Sequence, residues 1–375
     1  MSAELLSRAL LARLRRCMMR PYEEGRRRLE TDTRALLCLL TCLFVSAAAT
    51  TARPSVDPGK SLRVYFVDVE GGQATLFVTP EGNSLLIDTG WPGNNGRDAD
   101  RIVAAAHDAG IQKIDYVLIT HYHDDHVGGA PQLVAKIPVG SFIDHSENRE
   151  PGAQKLYDAY KVLLDSEKYK HIVAKPGDLL PIKEMRAEII SSDGAVISTP
   201  LPGAGQPNPA CNDFNPPDDQ TENPRSLGTL FTFGKLRILD LGDLTANKEK
   251  ELMCPINRIG KIDIFIASHH GFNQSNSAAL VRGIAPRVAI VDNGEKKGGS
   301  PSVLDIIKSS PGIVGMWQLH YSQEAGDAHN APAGFIANLQ GPDAGNYLRV
   351  MAQPDGSFAV FNSRTNETKT YSAPQ

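Results

Sequence analysis

The chain has 375 residues, 41% of them hydrophobic and 22% charged, with a formal net charge of −4. That length allows one large domain or two ordinary ones. The apolar content suffices for a sizeable core, which excludes a disordered protein, and the acidic balance argues against a broad nucleic-acid-binding surface.

Residues 1–52 read as a signal peptide with an extended basic N-region. Nine arginines, from Arg8 to Arg34, precede the apolar run 35–45, and small residues follow from Ser46 to Ala52. A positive flank, a short apolar core and a small-residue exit are the parts of a secretory signal. The run is shorter than the roughly 20 residues that a bilayer anchor takes. Removal would give a secreted or periplasmic protein with no membrane segment, carrying 30 basic and 38 acidic residues. Two cysteines would remain, Cys211 and Cys254. In an oxidising compartment they could form one disulfide or stand as two free thiols, and spacing does not decide between these.

Residues 53–60 read as a Pro/Gly-containing linker. Strands are expected at 62–69, 74–79 and 84–88, from their β-branched and aromatic alternation between turn residues. A helix is expected over 98–109, ending at Gly110. The run 114–120 reads as a strand, 128–135 as the start of a helix, 139–144 as a strand and 154–168 as a helix. Strand patterns return near Ile189 and Val196. Residues 200–226 are proline-rich and irregular, and read as a functional or disulfide-pinned loop because strands resume after them. A hairpin at 227–241, a strand at 263–267, a helix at 277–284, a strand at 288–291 and a helix at 302–309 follow. A closing hairpin is expected over 347–361. Strands and hairpins followed by a strand–helix pair thus occur twice. Two such βα layers packed face to face make an α/β fold, a four-layered αββα sandwich, with a C-terminal β-hairpin extension.

Chemistry concentrates at strand ends. Thr120-His121-Tyr122-His123-Asp124-Asp125-His126 packs three histidines and two aspartates into six positions, between an apolar run and Gly128-Gly129. Imidazoles and carboxylates that converge on one point suit zinc, manganese or iron. Three further strand ends carry similar residues: Asp88, Asp243, and His269-His270 before Gly271.

This pattern resembles the metallo-β-lactamase superfamily. Residues 120–129 match its His-x-His-x-Asp-His motif, Leu86-Ile87-Asp88-Thr89-Gly90 the motif before it, Gly242-Asp243 the bridging aspartate, and His269-His270-Gly271 the last histidine. Val67-Asp68-Val69-Glu70-Gly71-Gly72-Gln73-Ala74 and Asn223-Pro224-Arg225-Ser226 resemble the hydrolase domain of ComEC-type DNA-uptake proteins. The similarity covers residues 62 to about 295, and a hydrolase domain is expected over 61–340, followed by the C-terminal hairpin and tail, 341–375. It implies two divalent metal ions, zinc foremost, with manganese or iron as alternatives and single occupancy open. His121 and His123 would hold the first, Asp125 and His126 the second, Asp243 would bridge, and His269 or His270 would complete the second site. Asp88 would orient a ligand histidine or cap a turn. Where the wider family has a third histidine for the first metal, Asn223 and Ser226 stand here. His145 could reach the cleft, and His320, His329 and Asp327 could line its rim. Asp125 could also accept a proton, and Ser226 or a non-ligating His270 could stabilise developing negative charge. The implied activity is hydrolysis by a metal-activated water, with a small-molecule or oligonucleotide phosphodiester as substrate and no stable nucleic-acid complex. The alternatives are ester, lactone or β-lactam hydrolysis, or a non-catalytic binding protein of the same fold.

Overall fold

The computed structural model describes residues 58–212 and 214–374. The expected signal peptide and most of the linker lie outside the described residues. Two mixed sheets stack face to face, each with helices on its outer side. The first opens with an antiparallel meander of β1 (Leu62–Phe66), β2 (Thr75–Val78) and β3 (Ser84–Ile87). It then turns parallel. Helix α1 (Arg97–Asp108) leads to β4 (Ile114–Leu118), the short helices α2 (Asp124–Val127) and α3 (Ala130–Val134) lead to β5 (Val139–Asp144), and α4 (Gln154–Asp165) leads to β6 (Lys170–Val173).

The second sheet repeats the plan. An antiparallel half of β7 (Arg186–Ser192), β8 (Ala195–Val196), β9 (Gly228–Phe233) and β10 (Leu236–Asp240) is followed by α5 (Ala246–Met253) and a parallel half. That half alternates β11 (Ile264–Ile266), α6 (Ala278–Ile284), β12 (Val288–Val291), α7 (Pro301–Lys308), β13 (Gly315–His320), α8 (Gly326–His329) and β14 (Ile336–Asn338). The chain closes with β15 (Leu348–Ala352), β16 (Phe358–Asn362) and β17 (Glu367–Tyr371).

Strand alternation explains the layering. In β1, Leu62, Val64 and Phe66 face the second sheet, while Tyr65 joins the buried cluster under the helices of the first. In β10, Leu236 and Ile238 point inward and Leu239 points to the opposite helical layer. The period-two pattern sends alternate residues to opposite faces, so the central strands of each sheet are buried on both faces, while the edge strands β6 and β17 are largely exposed. Ile102 and Ala106 of α1 and Tyr157 and Tyr160 of α4 cover one outer face; Leu252, Leu280 and Leu304 of α5, α6 and α7 cover the other. The result is the four-layered αββα sandwich, with Phe77 of one sheet against Phe231 of the other at a ring-centroid distance of 4.4 Å.

The C-terminal hairpin is not an appendage. The first sheet runs β17-β16-β15-β1-β2-β3-β4-β5-β6, and β15 pairs with β1 from Leu62↔Ala352 to Phe66↔Leu348. Its apolar positions Leu348, Val350, Phe358 and Val360 complete the core between the sheets. A boundary at 340 would therefore divide one sheet. Residues 200–226 are irregular, with short 3-10 turns, and a disulfide joins Cys211 to Cys254 with their Cα atoms 5.7 Å apart. Among the described residues, no helix is long and apolar enough to cross a membrane.

Candidate metal centre

The carboxyl ends of β3, β4, β10 and β11 meet at one place between the sheets. Each is followed by a tight turn that projects side chains into the cleft. The turn after β4 needs its glycines: a Cβ on Gly128 would lie 2.2 Å from the Asp124 carbonyl oxygen, and one on Gly129 would lie 2.1 Å from that of Thr89. These close approaches press the turn after β3 against the one-turn helix α2, which carries Asp125 and His126. After β11, His269 and His270 both take positive φ angles, 53° and 52°. Such a backbone is costly for side-chain-bearing residues and concentrates at functional sites.

Hydrogen bonds fix the histidine tautomers. Asp88, fully buried, accepts from the Thr120 amide at 2.8 Å and the Thr120 hydroxyl at 2.7 Å, and lies 2.6 Å from His126 Nδ1. His126 Nδ1 must then donate to it, leaving Nε2 with a free lone pair. Because the Thr120 hydroxyl donates to Asp88, its oxygen accepts from His121 Nδ1 at 3.0 Å, which bares His121 Nε2. His123 Nε2 lies 2.9 Å from Glu150 Oε2, which leaves Nδ1 as the acceptor.

These three nitrogens and His270 Nε2 converge. His121 Nε2 and His123 Nδ1 are 3.0 Å apart, and His126 Nε2 and His270 Nε2 are 3.2 Å apart. Asp125 Oδ2 lies 3.0 Å from His270 Nε2 and 3.3 Å from His126 Nε2, and Asp243 Oδ2 lies 3.3 Å from His126 Nε2. Asp125, His126, Asp243 and His270 thus offer four buried ligand atoms mutually within 4.8 Å. Asp243 reaches the other pair as well, with Oδ2 at 3.9 Å from His121 Nε2, and its Oδ1 is buried with no hydrogen-bond partner.

The charge balance shows how strongly the site calls for positive charge, which without a metal the rings of His126 and His270 supply by taking up a proton. Burial pulls His126 down, but Asp243, Asp125 and Asp88 together hold it well above the ordinary imidazole range. Burial and Lys297 lower His270, yet Asp243, Asp292 and Asp125 push it up to about 9. Burial raises Asp125 and Asp243, and the surrounding histidines outweigh it, holding both well below the usual carboxylate range. His121 is held well below the imidazole range, first by burial and then by the other histidines, so it is neutral and able to ligate. Carboxylates crowded around facing lone pairs, in a dry site, favour a cation between them. The donor set fits a divalent metal.

The structure separates the His269-His270 pair. His270 joins the four-ligand group. His269 lies on the other side of Asp243, its Nε2 3.5 Å from Asp243 Oδ2 and 3.4 Å from Asn223 Nδ2. Ser226 does not face the cleft: it is fully buried, and its Oγ accepts the Asp243 amide at 3.2 Å. That geometry replaces charge stabilisation with positioning of Asp243. His145 is turned away and paired with Glu222 at 3.0 Å. His320 is buried against Asp68 at 2.7 Å, and His329 and Asp327 make surface contacts with Asp305 and Tyr321.

Sequence reading missed four contributors: Glu150, which holds His123; the Thr120 relay to His121; Asp292, 3.6 Å from His270 Nδ1; and Lys297, which is ion-paired with Asp125. Three of them follow β5 or β12, and strand ends in such sheets carry functional residues. Their place after a strand is the signal in the sequence that points to them.

Residues 67–206 match the model of the Metallo-beta-lactamase superfamily. That stretch is metallo-β-lactamase-like. The match ends before Asp243 and His270, which the structure brings to the same centre. The chain is 25% identical over 187 residues to ComE operon protein 3 of Bacillus subtilis, covering 50% of this chain and 21% of that protein. It is 24% identical over 261 residues to Recombination protein 2 of Haemophilus influenzae, covering 69% and 26% respectively. It is 30% identical over 102 residues to a hydroxyacylglutathione hydrolase of Stenotrophomonas maltophilia, covering 27% and 37%. The chain therefore spans well under half the length of these relatives.

Proposed function

We propose that this chain is an exported metal-dependent hydrolase that holds two divalent cations, zinc foremost, and cleaves a phosphodiester in a small molecule or oligonucleotide. The observation that carries the reading is the convergence of bared histidine nitrogens on buried Asp125 and Asp243. His126, Asp125, Asp243 and His270 would hold one cation; His121, His123 and Asp243 the other, with His269 at its open side. A divalent cation at such a site polarises the scissile oxygen and makes water more acidic.

The chain's own residues do the rest. Asp88 fixes the ring of His126 and, through Thr120, that of His121; Glu150 fixes His123; Ser226 holds Asp243. Asp125 is the carboxylate placed to take a proton from attacking water. The likeness to ComE operon protein 3 and Recombination protein 2 supports the phosphodiester over other substrates. The acidic composition supports brief encounters over a stable nucleic-acid complex, and the disulfide supports an oxidising compartment outside the cytosol. The hydroxyacylglutathione hydrolase match favours a second reading, hydrolysis of a carboxylic thioester or ester.

Metal analysis of protein purified without chelator tests the centre, and protein free of zinc, manganese and iron sinks it. A panel of bis-p-nitrophenyl phosphate, single-stranded DNA, nitrocefin, a lactone and a thioester tests the substrate. Asp125→Ala should abolish turnover, and an unaffected rate removes Asp125 from its role.

A further inference from the structure

We propose that Lys297 is the anion clamp of this centre, binding a non-bridging oxygen of the scissile phosphodiester; the substrate class rests on the reading above. Lys297 lies in the glycine-rich loop after β12, remote in sequence from every metal-type residue in the first sheet. Its ammonium is ion-paired with Asp125 Oδ2, accepted by the Gly71 carbonyl at 2.7 Å, and stacked 4.8 Å from the centre of the Trp91 ring. Among the described residues, no other lysine or arginine is ion-paired with Asp88, Asp125 or Asp243.

The loop is tied to the metal centre. The Gly299 amide donates to the His270 carbonyl at 2.8 Å and the Ser300 amide to Gly271 at 2.9 Å, while the Gly294 amide donates to the carbonyl of Lys297 itself at 2.8 Å. Lys297 is thus held in register with His270. Its side chain is 29% exposed, against 7% for Asp125, so the charged head stands where the cleft meets solvent.

Asp125 Oδ2 also faces His126 Nε2 and His270 Nε2. One oxygen does not serve a divalent cation and an ammonium equally, so loading the centre weakens the hold of Asp125 on Lys297. The ammonium remains fixed by Gly71 and Trp91 beside the metal centre, and the partner it then lacks is an anion. A phosphodiester brings one; a neutral ester does not. Lys297 thereby sets specificity between these two substrate classes.

The test uses Trp91 as reporter. The chain has two tryptophans, and Trp317→Phe leaves Trp91 as the one tryptophan, to be excited selectively over the tyrosines. Zinc-loaded protein is titrated with dimethyl phosphate, and a change in Trp91 emission should follow binding. Lys297→Met should weaken that binding roughly 10- to 100-fold, the value of one hydrogen bond to a charged group, with zinc content unchanged. Lys297→Arg should restore most of it. In parallel, kcat/KM for bis-p-nitrophenyl phosphate should fall by a similar factor, and by more than that for the neutral ester p-nitrophenyl acetate, whose ground state brings no anion. Dimethyl phosphate binding that is absent in the parent, or equal in Lys297→Met and the parent, overturns the clamp, as does loss of zinc from Lys297→Met. If Lys297-dependent binding is found but no diester is hydrolysed, the clamp stands and the proposed activity falls. If diesters are hydrolysed equally by both proteins, the activity stands and the clamp falls.

Discussion

Replacing both cysteines, Cys211→Ser with Cys254→Ser, should cost about 4 kcal/mol of stability. The bond closes a segment with a sequence separation of 43, and the unfolded chain's loss of freedom grows with the logarithm of loop length, reaching about 4 kcal/mol for a loop of this size. The native geometry around the bond has other support: Asn208 Nδ2 donates to the Met253 carbonyl at 3.2 Å and to that of Ala279 at 2.8 Å. The folded state should therefore keep its shape, and the loss should come from the unfolded ensemble. Since a domain's whole stability is about 5–15 kcal/mol, the change is large. Urea unfolding of the oxidised protein, the reduced protein and the double variant measures it. The last two should unfold together, at clearly lower urea than the first. Coincidence of all three transitions would refute the argument.

Asp88→Ala should leave the fold intact but weaken metal binding about 10- to 100-fold, the usual effect of removing a residue that orients a ligand histidine; chelator competition reads this directly, and undiminished affinity counts against the Asp88–Thr120–His121 relay. Phe231→Ala should lower stability by about 3–5 kcal/mol, because both rings of the Phe77–Phe231 contact are fully buried between the sheets; a loss under about 1 kcal/mol in urea unfolding would mean that the sheets close over the gap. Glu249 accepts the amides of Asn276 and Ser277 at 2.6 and 2.8 Å, and burial pushes its carboxyl up to about 7. The folded chain keeps this proton where the unfolded chain has lost it, so the contribution is complete below the ordinary glutamate range and lost as pH rises through about 7. Glu249→Gln should remove about 1 kcal/mol of the stability change between about pH 6 and pH 8; identical pH slopes for variant and parent contradict this.

Much of the architecture is legible in the sequence because burial on both sheet faces imposes strong patterns. The apolar runs at Val288–Val291 and Val139–Asp144 give those strands to the residue. Elements whose pattern is weak are not legible. The edge strand β6, Lys170-His171-Ile172-Val173, is largely exposed and carries little hydrophobic signal. In β13 the sequence Gly-Met-Trp-Gln-Leu-His hides Gln318, which is buried because it hydrogen-bonds Asn330 and the Ala331 amide at 2.8 and 2.7 Å. At the centre, residues with metal-type chemistry announce themselves by clustering. Partners that act from a distance do not: Glu150 and Lys297 are ordinary charged loop residues until the fold sets them beside His123 and Asp125. The choice between His269 and His270 depended on two left-handed backbone positions, which strand register does not encode.

The pairing of β1 with β15 also fixes an order of events. Leu62 meets Ala352 across the first sheet, so β1 is left with an open side until β15 has been made. Contacts this remote slow folding, and an unsatisfied strand edge is a template for the wrong partner. The strands β15 to β17 therefore act as a clasp. A chain cut short before β15 would retain every candidate metal ligand, yet it would display a sticky edge in the middle of its sheet and enter aggregation rather than the native state.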